Sequence, residues 1–479
     1  MTVMSELATV MRVLKFMLLS YRNHNFCQYS GVFSFTCKNR AIGLMVASMQ
    51  SKLLSEYTVP GKQHYYILFM SWAGWVFDFY DLTLYTFLLI PIGKELHLSN
   101  IHLSFILGLS LAATALGGII FGVLADRFGR RSVLQWTILT YSVGTFLSGL
   151  APDFYFLVLF RIITGIGVGG EWATGQTYVG ETFPPGVRGR FGAFMQTGAP
   201  VGVALAALIG GFVSPIIGWR ASFMVSVLPA VLVILVRKKL PESDLWAERN
   251  RIIRSRALTE PAVQDKDKGN FASLFSPEYR TMFFKSLLLA VFIMSAYWFT
   301  YAWLPGYLYE QRHFSMTKSG IWMIITQTGG FLGYATFGFV ADRFGRRPAF
   351  TLYSFLMAAG LIMITFLWNI IARYPSIILV CMFMVGFGTG FFGGYGPIMA
   401  ELFPTKIRNT AMGTAFNLAR GVQFFTPVIV VIVARYYGLG GGISIASLFA
   451  VLAGLWIWTF PETRGKRLTA LEQTTGSGR

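Results

Sequence analysis

From Tyr65 onward the chain alternates between long apolar runs and short polar loops. Apolar runs of about 18–25 residues are long enough to cross a bilayer as helices. Helices satisfy their own backbone polar groups, as a lipid environment requires. We predict twelve spans, numbered first to twelfth: residues 65–92, 101–124, 133–150, 154–178, 190–213, 219–236, 281–309, 320–340, 348–371, 376–400, 410–434 and 442–460. The pattern therefore predicts an all-α membrane protein.

A ten-residue sequence after the second span returns after the eighth. Gly122–Arg131 reads GVLADRFGRR and Gly338–Arg347 reads GFVADRFGRR, so Asp126 and Asp342 are 216 residues apart. Later landmarks recur 220 residues apart: Glu181 and Glu401, Arg188 and Arg408, and Pro241-Glu242 and Pro461-Glu462. Repeats at a nearly constant spacing indicate two fused copies of one unit running in the same direction. We expect two pseudo-symmetric six-helix bundles.

The repeat divides the chain into five parts. We expect an N-terminal bundle at 63–236, a solvated cytoplasmic linker at 237–280, a C-terminal bundle at 281–462 and a cytoplasmic tail at 463–479. Residues 1–62 form an N-terminal extension without the ordered regions of a signal peptide. Two interpretations of residues 1–44 stay open: a flexible amphipathic extension, or an artefact of start-site choice with Met45 or Met49 as the start.

Composition supports the membrane class. Hydrophobic residues make up 54% of the chain, charged residues 13%, and the mean hydropathy is +0.57, whereas soluble domains carry about 25% charged residues. The net charge of +19 reflects topology rather than nucleic-acid binding, because most Lys and Arg outside the spans lie on one side, with some attraction to anionic lipid. The other side carries only Lys94, Arg220, Arg312, Lys318, Arg373 and Arg435. The positive-inside rule then places both termini in the cytoplasm and the protein in the cytoplasmic membrane.

The sequence disfavours an enzyme, a metal site and a cofactor. The three cysteines form no CxxC pair, and the five histidines lie outside the spans or at their edges. A GxxxxGK[ST] phosphate loop is absent from the sequence, which argues against a pump driven by ATP. We expect a monomer that binds a small molecule and protons within membrane lipid.

Ionisable residues inside the spans are the best candidates for chemistry, since intramembrane charges are expensive and usually functional. Asp78 and Asp81 lie one helical turn apart in the first span, where two carboxylates cannot both ionise easily, so one could carry a proton. Arg161 and Glu171 lie ten residues apart in the fourth span, too far apart to pair with each other. We assign all four to proton coupling. The alternative is that they only lock helices together.

The C-terminal half lacks matching intramembrane acids and instead carries Arg420 in the eleventh span, near Asn417. Trp298 and Tyr301 lie in the seventh span. We assign these four residues to binding an anionic, ring-bearing substrate. The alternative for the aromatic residues is packing or interfacial anchoring.

Together these features resemble the major facilitator superfamily over about residues 65–468. The decapeptide, RIITGIGVGGEW (Arg161–Trp172) and the sequences PES (Pro241–Ser243) and PETRGKRL (Pro461–Leu468) carry the resemblance. The first-span sequence GWVFDFYD (Gly74–Asp81) is similar to the sialate and aromatic-acid proton symporter branches. Gln196 matches a substrate position of sugar porters, but the seventh span lacks their paired glutamines.

The resemblance implies a gate made of ion pairs that hold the cytoplasmic side shut. Its members would be Asp126, Arg130, Arg131, Glu181, Arg188, Asp342, Arg346, Arg347, Glu401 and Arg408. Positive-inside signalling alone would explain the Arg residues but not the repeated Asp and Glu. We therefore predict a secondary transporter with alternating access, symporting protons with a monocarboxylate, sialate or aromatic acid. A sugar or metabolite uniporter, or a proton antiporter, is the alternative.

Overall fold

The computed structural model describes residues 53–57, 59–227, 240–259, 271–301, 303–304, 307–314 and 316–468. These residues are helical and include no β-strand. Each of the twelve predicted spans overlaps a helix, the sixth as far as residue 227. The prediction of an all-α fold with two six-helix bundles is confirmed. Residues 1–52, which include the uncertain segment 1–44, lie outside the described residues.

Several helices of the N-terminal half are longer than the apolar runs that predicted them, because they extend into the neighbouring polar segments. The first four spans are Lys62–Glu95, Asn100–Phe128, Arg130–Leu150 and Phe154–Thr182. The fifth comprises Arg188–Gln196, Gly198–Leu208 and the π-helix Ile209–Val213. The helix Ser214–Val225 leads into the sixth span, and its backbone breaks at Gly218, where φ is 81°.

The C-terminal half repeats this order with more interruptions. The seventh to ninth spans are Arg280–Tyr301 with a π-turn at Tyr307–Gln311, Met316–Phe344, and Arg346–Thr365 followed by Trp368–Ile371. The tenth is divided into Pro375–Gly388 and Phe391–Leu402. The last two spans comprise Arg408–Val422, the 3₁₀ turn Gln423–Phe425, Thr426–Trp456 and the 3₁₀ turn Ile457–Thr459, and Gly438 (φ 67°) marks the break between them.

Eight stretches of the described chain are long and apolar enough to cross a membrane by length and composition. The number is smaller than twelve because one stretch, Arg188–Val225, joins the fifth and sixth predicted spans, and because the third, eighth and eleventh spans fall outside the eight. The third and eighth spans are also rich in Ser, Thr, Gln and Gly.

Proline explains the break in the eleventh span. Pro427 has no N–H and cannot donate to the carbonyl of residue 423, so an α-helix cannot continue unchanged through this turn. The tighter 3₁₀ turn Gln423–Phe425 takes its place. Arg420 therefore lies in the last turn of the helix Arg408–Val422.

The segment between the halves, predicted as a solvated linker, contains helices where it is described. It contains the helix Asp244–Thr259 and the 3₁₀ helix Phe271–Phe275. Trp246 Nε1 donates to the carbonyl of Asp126 over 3.0 Å, and Arg249 Nη1 donates to the same oxygen over 3.4 Å. These two hydrogen bonds hold the helix Asp244–Thr259 against the end of the second span. The carbonyl groups there lack partners within their own helix and need other donors.

Both decapeptides lie at one end of the helices, which we call the basic end. There the second span packs against the helix Arg408–Val422 of the other half. A Cβ added to Gly413 would lie 2.6 Å from the carbonyl oxygen of Gly118. Small residues allow such close helix approach. The two halves are therefore in direct contact at the basic end and along the adjoining part of these two helices.

Each decapeptide needs its glycine at the turn between two helices. Gly129 and Gly345 have φ of 100° and 108°, a backbone region that L-residues with a Cβ rarely adopt. A Cβ at Gly129 would also lie 2.7 Å from Cδ of Glu242.

We expect Gly129→Ala to destabilise the protein by about 1–3 kcal/mol, the usual cost of a residue held in such a backbone region. Thermal unfolding of the purified protein in detergent measures the change. Gly186→Ala is the control, because nothing lies within 4 Å of its added Cβ and its φ is not positive. Equal unfolding temperatures for the two variants would contradict the expectation.

Candidate functional site

A cavity of about 560 Å³ lies between the two halves, away from the basic end. Part of its wall is formed by five residues of the first span and two of the second: Trp75, Phe79, Leu82, Thr83, Thr86, Leu107 and Leu111. Eight lining side chains are aromatic: Trp75, Phe79, Tyr297, Trp298, Tyr301, Tyr334, Phe392 and Phe416. Arg420 is the only charged side chain among the lining residues of the described chain. The cavity suits a small molecule with one anionic group and an apolar body.

Four of the five residues predicted to bind substrate line this cavity: Gln196, Trp298, Tyr301 and Arg420. Asn417 is outside the lining. Its Nδ2 donates to the carbonyl oxygens of Gly169, over 2.8 Å, and Gly413, over 2.9 Å. Asn417 therefore ties the eleventh span to the fourth span of the other half, because its amide satisfies buried backbone acceptors there.

Aromatic rings from both halves meet below the cavity, in what we call the aromatic floor: Trp75, Trp172, Tyr395 and Phe416. The rings of Trp172 and Phe416 stack with centroids 3.7 Å apart, and Trp172 also stacks on Tyr395 at 5.9 Å. Trp75 contacts both Trp172 and Phe416 at 6.4 Å. Trp75 and Phe416 also line the cavity, so the aromatic floor forms one of its boundaries.

Asp81 forms a buried ion pair with Arg161 inside the N-terminal half. Arg161 Nη2 lies 3.2 Å from Asp81 Oδ2, and Thr145 donates to Asp81 Oδ1 over 2.5 Å. The guanidinium also lies over the ring of Tyr85 at 4.9 Å. Arg161 and Asp81 are 1% and 2% exposed. The buried carboxyl of Asp81 thus has both a cation and a hydroxyl donor as partners within its own half.

Asp78 and Arg420 interact electrostatically across the two halves. Asp78 is fully buried and Arg420 is 5% exposed. The Arg420 guanidinium lies 5.2 Å from the Phe416 ring and 5.9 Å from the Trp75 ring. The two first-span acids thus have different environments. Asp81 pairs with Arg161 of its own half, whereas Asp78 interacts electrostatically with Arg420 of the other half.

Glu171 lies apart from these two acids. It is fully buried, and Thr137 of the third span donates to its Oε2 over 2.6 Å. Its neighbour Trp172 belongs to the aromatic floor. The structure therefore brings Asp81 and Arg161 together but places Glu171 beside the third span.

Charged side chains join the halves at the basic end, in what we call the basic-end network. Arg130 makes two hydrogen bonds to Glu181, of 3.1 and 2.8 Å, and an ion pair of 3.1 Å to Asp126. Arg408 of the other half donates to Glu181 over 2.5 Å. Asp126 accepts from the backbone N–H groups of Asn409 and Thr410, over 3.2 and 2.8 Å. Asp126 therefore caps a helix of the opposite half, where a carboxylate is favoured by the helix dipole.

The second decapeptide builds a similar but looser arrangement. Arg346 binds Glu401 over 3.2 and 3.0 Å and Asp342 over 2.5 Å. Arg188 of the other half lies 3.7 Å from Glu401, compared with 2.5 Å for Arg408 and Glu181. Asp342 accepts from the N–H of Arg190 over 3.1 Å. The two connections between the halves are therefore unequal.

Glu242 and Glu462 are two further members of this arrangement that were not predicted from the sequence. Glu242 accepts from the N–H groups of Arg130 and Arg131, and Glu462 accepts from those of Arg346 and Arg347. Arg131 and Arg347 thus take part through their backbone, and the Arg347 side chain lies 5.9 Å from the Trp458 ring. The repeat of Pro-Glu at a spacing of 220 residues was the available signal.

The two matched carboxyls titrate differently. Burial raises the pKa of the Glu242 carboxyl, although neighbouring N–H groups act against this. Burial would also raise the pKa of Glu462, but four backbone N–H donors outweigh it and hold that pKa below its usual range. Glu462 therefore keeps its charge to lower pH than Glu242 does.

We expect Asp81→Asn to destabilise the protein by about 3–5 kcal/mol, because it leaves the buried Arg161 without its counter-charge. The double variant Asp81→Asn, Arg161→Gln should recover part of this loss. Thermal unfolding of both variants measures the effect. A single variant as stable as the parent would show that the pair contributes little.

We expect Arg408→Gln to loosen the basic end more than Arg188→Gln does. Arg408 makes the shorter ion pair, whereas Nε and Nη2 of Arg188 have no hydrogen-bond partner among the described residues. The readout is maleimide labelling of Ala400→Cys, a buried position beside Gly180, after replacement of the three native cysteines by serine. Faster labelling in the Arg188 variant would contradict the expected order.

Comparisons with known proteins agree with this architecture. The family described as "Sugar (and other) transporter" matches residues 41–474. A putative metabolite transport protein of Haemophilus influenzae is 33% identical over 83% of this chain and 96% of its own length. The sialic acid transporter NanX of Escherichia coli is 32% identical over 80% of this chain and 90% of its own length.

Two transporters of Acinetobacter baylyi, described as a niacin transporter and a cis,cis-muconate transport protein, are each 29% identical. They cover 77% and 78% of this chain and 87% and 89% of their own lengths. The solved structure of the proton:xylose symporter XylE has a TM-score of 0.68 and 22% identity, covering 85% of this chain and 98% of that one, and so shows a shared fold. The chain belongs to the sugar (and other) transporter family of the major facilitator superfamily, and it is a membrane transporter rather than an enzyme.

Proposed function

We propose that this protein is a secondary active transporter that symports protons with a small organic acid by alternating access. One observation carries the proposal: among the described residues, Arg420 is the one charged side chain that lines the aromatic cavity between the halves, and it interacts electrostatically with the buried Asp78 of the other half. A guanidinium binds a carboxylate with two parallel hydrogen bonds. An intramembrane carboxyl is a suitable carrier for a proton.

The walls of the cavity suit the body of such an acid. The Tyr297 and Tyr301 rings stack 4.4 Å apart, and both line the cavity with Trp298. Flat or unsaturated groups pack well against aromatic faces. Sialic acid, niacin and cis,cis-muconate, which name three of the relatives, are all carboxylic acids. These names support a carboxylate substrate for this chain.

The basic-end network is proposed as one gate of the transport cycle. Its ion pairs join the halves on the side of the aromatic floor that faces the basic end, and the cavity lies on the other side. Partly buried pairs that form in one state and break in the other bias a two-state equilibrium. We place the basic end and both termini in the cytoplasm, because the excess of Lys and Arg lies there, and we propose a monomer in the cytoplasmic membrane.

Uptake by proteoliposomes tests the function. With an imposed inward proton gradient, we expect N-acetylneuraminate, nicotinate or another small organic acid to accumulate and xylose not to accumulate. Arg420→Gln should raise the apparent KM for the acid about tenfold or more, because a charged hydrogen-bond donor is lost. Arg220→Gln is a matched control, since this arginine binds the exposed Glu95 outside the cavity.

Three outcomes would overturn the proposal. Uptake of sugars without acids would favour a sugar carrier. Uptake of the acid that never exceeds equilibrium while the inward proton gradient is imposed would favour a uniporter. Accumulation driven by an outward proton gradient would favour an antiporter.

A further inference from the structure

The turns that lead into the fifth and eleventh spans share one backbone geometry but differ in sequence. Residues 183–190 read FPPGVRGR and residues 403–410 read FPTKIRNT. Each helix is preceded by a residue of nearly the same conformation, Val187 (φ −128°, ψ −3°) and Ile407 (φ −132°, ψ 3°). An arginine follows as the first residue of each helix. A difference between the two arginines therefore arises from the side chains around them.

The arginine of the second turn, Arg408, uses an acceptor that the first turn lacks. Its Nε donates to the carbonyl oxygen of Phe403 over 3.0 Å. Its Nη1 donates to Oγ1 of Thr405 over 3.2 Å and to Glu181 of the other half over 2.5 Å. Pro185 occupies the position equivalent to Thr405. Because a proline side chain has no hydrogen-bonding group, the first turn offers no hydroxyl to its own arginine.

The arginine of the first turn, Arg188, has correspondingly few partners. Its Nη1 donates to the carbonyl oxygen of Lys466 over 2.9 Å and lies 3.7 Å from Glu401. The side chain is buried, and its Nε and Nη2 have no hydrogen-bond partner among the described residues. Buried donors without acceptors lose their hydration and gain nothing in return, so they raise the free energy of the closed form.

The two unpaired nitrogens form the edge of the guanidinium that binds carboxylates best. Nε and Nη2 together match the two oxygens of a carboxylate. Arg130 binds Glu181 with this edge over 3.1 and 2.8 Å. Arg346 binds Glu401 with the same edge over 3.2 and 3.0 Å. Arg188 therefore reaches Glu401 with one nitrogen only, and its own edge contributes nothing to the closed basic end.

We propose that Pro185 and Arg188 keep the closed basic end weak enough to open. The proline gives the guanidinium no acceptor in the closed form, whereas separation of the halves admits water to Nε and Nη2. The same arrangement with a threonine, as around Arg408, would favour closure. This inference rests on the proposed function, in which the basic-end network is a gate, and adds the two residues that set the balance between its closed and open forms.

A carrier with alternating access needs this balance, because it must populate two conformations of similar free energy. A hydroxyl at position 185 would add a hydrogen bond to a charged group in the closed form only. Such a bond changes the ratio of closed to open molecules about tenfold or more. Pro185 and Arg188 therefore act on the rate at which the basic end opens, without contacting the substrate.

The test replaces Pro185 by two residues of the same shape that differ in the hydroxyl. In the full-length protein with Ala400→Cys and the three native cysteines replaced by serine, Pro185→Thr should react with maleimide about tenfold more slowly than Pro185→Val. The reaction reports transient opening, since Ala400 is buried against Gly180 of the other half. Both variants lose the proline's restriction of the unfolded chain, so that effect cancels. Equal labelling rates would overturn the proposal.

The second turn supplies the reverse test. Thr405→Val should increase the labelling rate about tenfold, because Arg408 loses the hydroxyl that it binds. Thr405→Ser should label like the parent, because serine keeps the hydroxyl. Thr405→Val labelling as slowly as Thr405→Ser would contradict the assigned role of the hydroxyl and overturn the proposal.

Labelling needs no substrate, so it separates this inference from the proposed function. Equal labelling of Pro185→Thr and Pro185→Val, together with proton-driven accumulation of nicotinate or N-acetylneuraminate by the parent, would overturn the inference and leave the proposed function intact. The expected labelling order in a protein that accumulates no organic acid would overturn the proposed function, whereas the effect of Pro185 on the closed basic end would stand.

Discussion

Burial of charge in the helical core is the constraint on which the rest of this structure depends. An ionised side chain among membrane-spanning helices is tolerated when a partner compensates its charge. The pair of Asp81 and Arg161 lies within one half, so a movement of one half relative to the other leaves it intact. The interactions of Asp78 with Arg420, and of Glu181 with Arg408, cross between the halves. Relative movement must therefore break or replace them.

The same distinction applies to backbone groups. Asp126 accepts from two N–H groups at the start of the helix Arg408–Val422, which would otherwise need another acceptor when buried. Asn417 likewise satisfies the carbonyl of Gly169 from across the interface. The closed basic end is thus stabilised by hydrogen bonds that exist only while the halves are together. Opening of this end requires water or other groups to replace them.

The repeated halves serve different purposes because their sequences diverge where they face the cavity. The basic-end network is nearly symmetric, yet the 2.5 Å ion pair of Arg408 contrasts with the 3.7 Å ion pair of Arg188. Around the cavity the asymmetry is larger: one half supplies the buried Asp78 and the other supplies Arg420, which lines the cavity. The two halves therefore contribute different charged groups around the cavity, whereas they contribute equivalent ones at the basic end.

Much of the fold was predictable, because helix length and the decapeptide repeat are local features of the sequence. The repeat also identified most of the basic-end network, since equivalent positions in fused copies take equivalent places. Contacts between the two copies could not be predicted in this way. Trp172 and Phe416 are far apart in the chain, and neither periodicity nor spacing indicated that their rings stack beneath the cavity. Glu242 was visible as a repeat, but its hydrogen bonds to the decapeptide were not.

The sequence by itself determined the twelve spans, the duplication and the set of buried charges, because each depends on the cost of placing polar groups in lipid. Only the tertiary structure decided which acid lies beside which cation. Asp78 and Asp81 are equivalent by spacing, one turn apart on one helix. Packing of the fourth span against the first gives Asp81 a permanent partner, whereas packing of the eleventh span brings Asp78 to Arg420. That choice depends on distances between helices, which no local pattern in the chain contains.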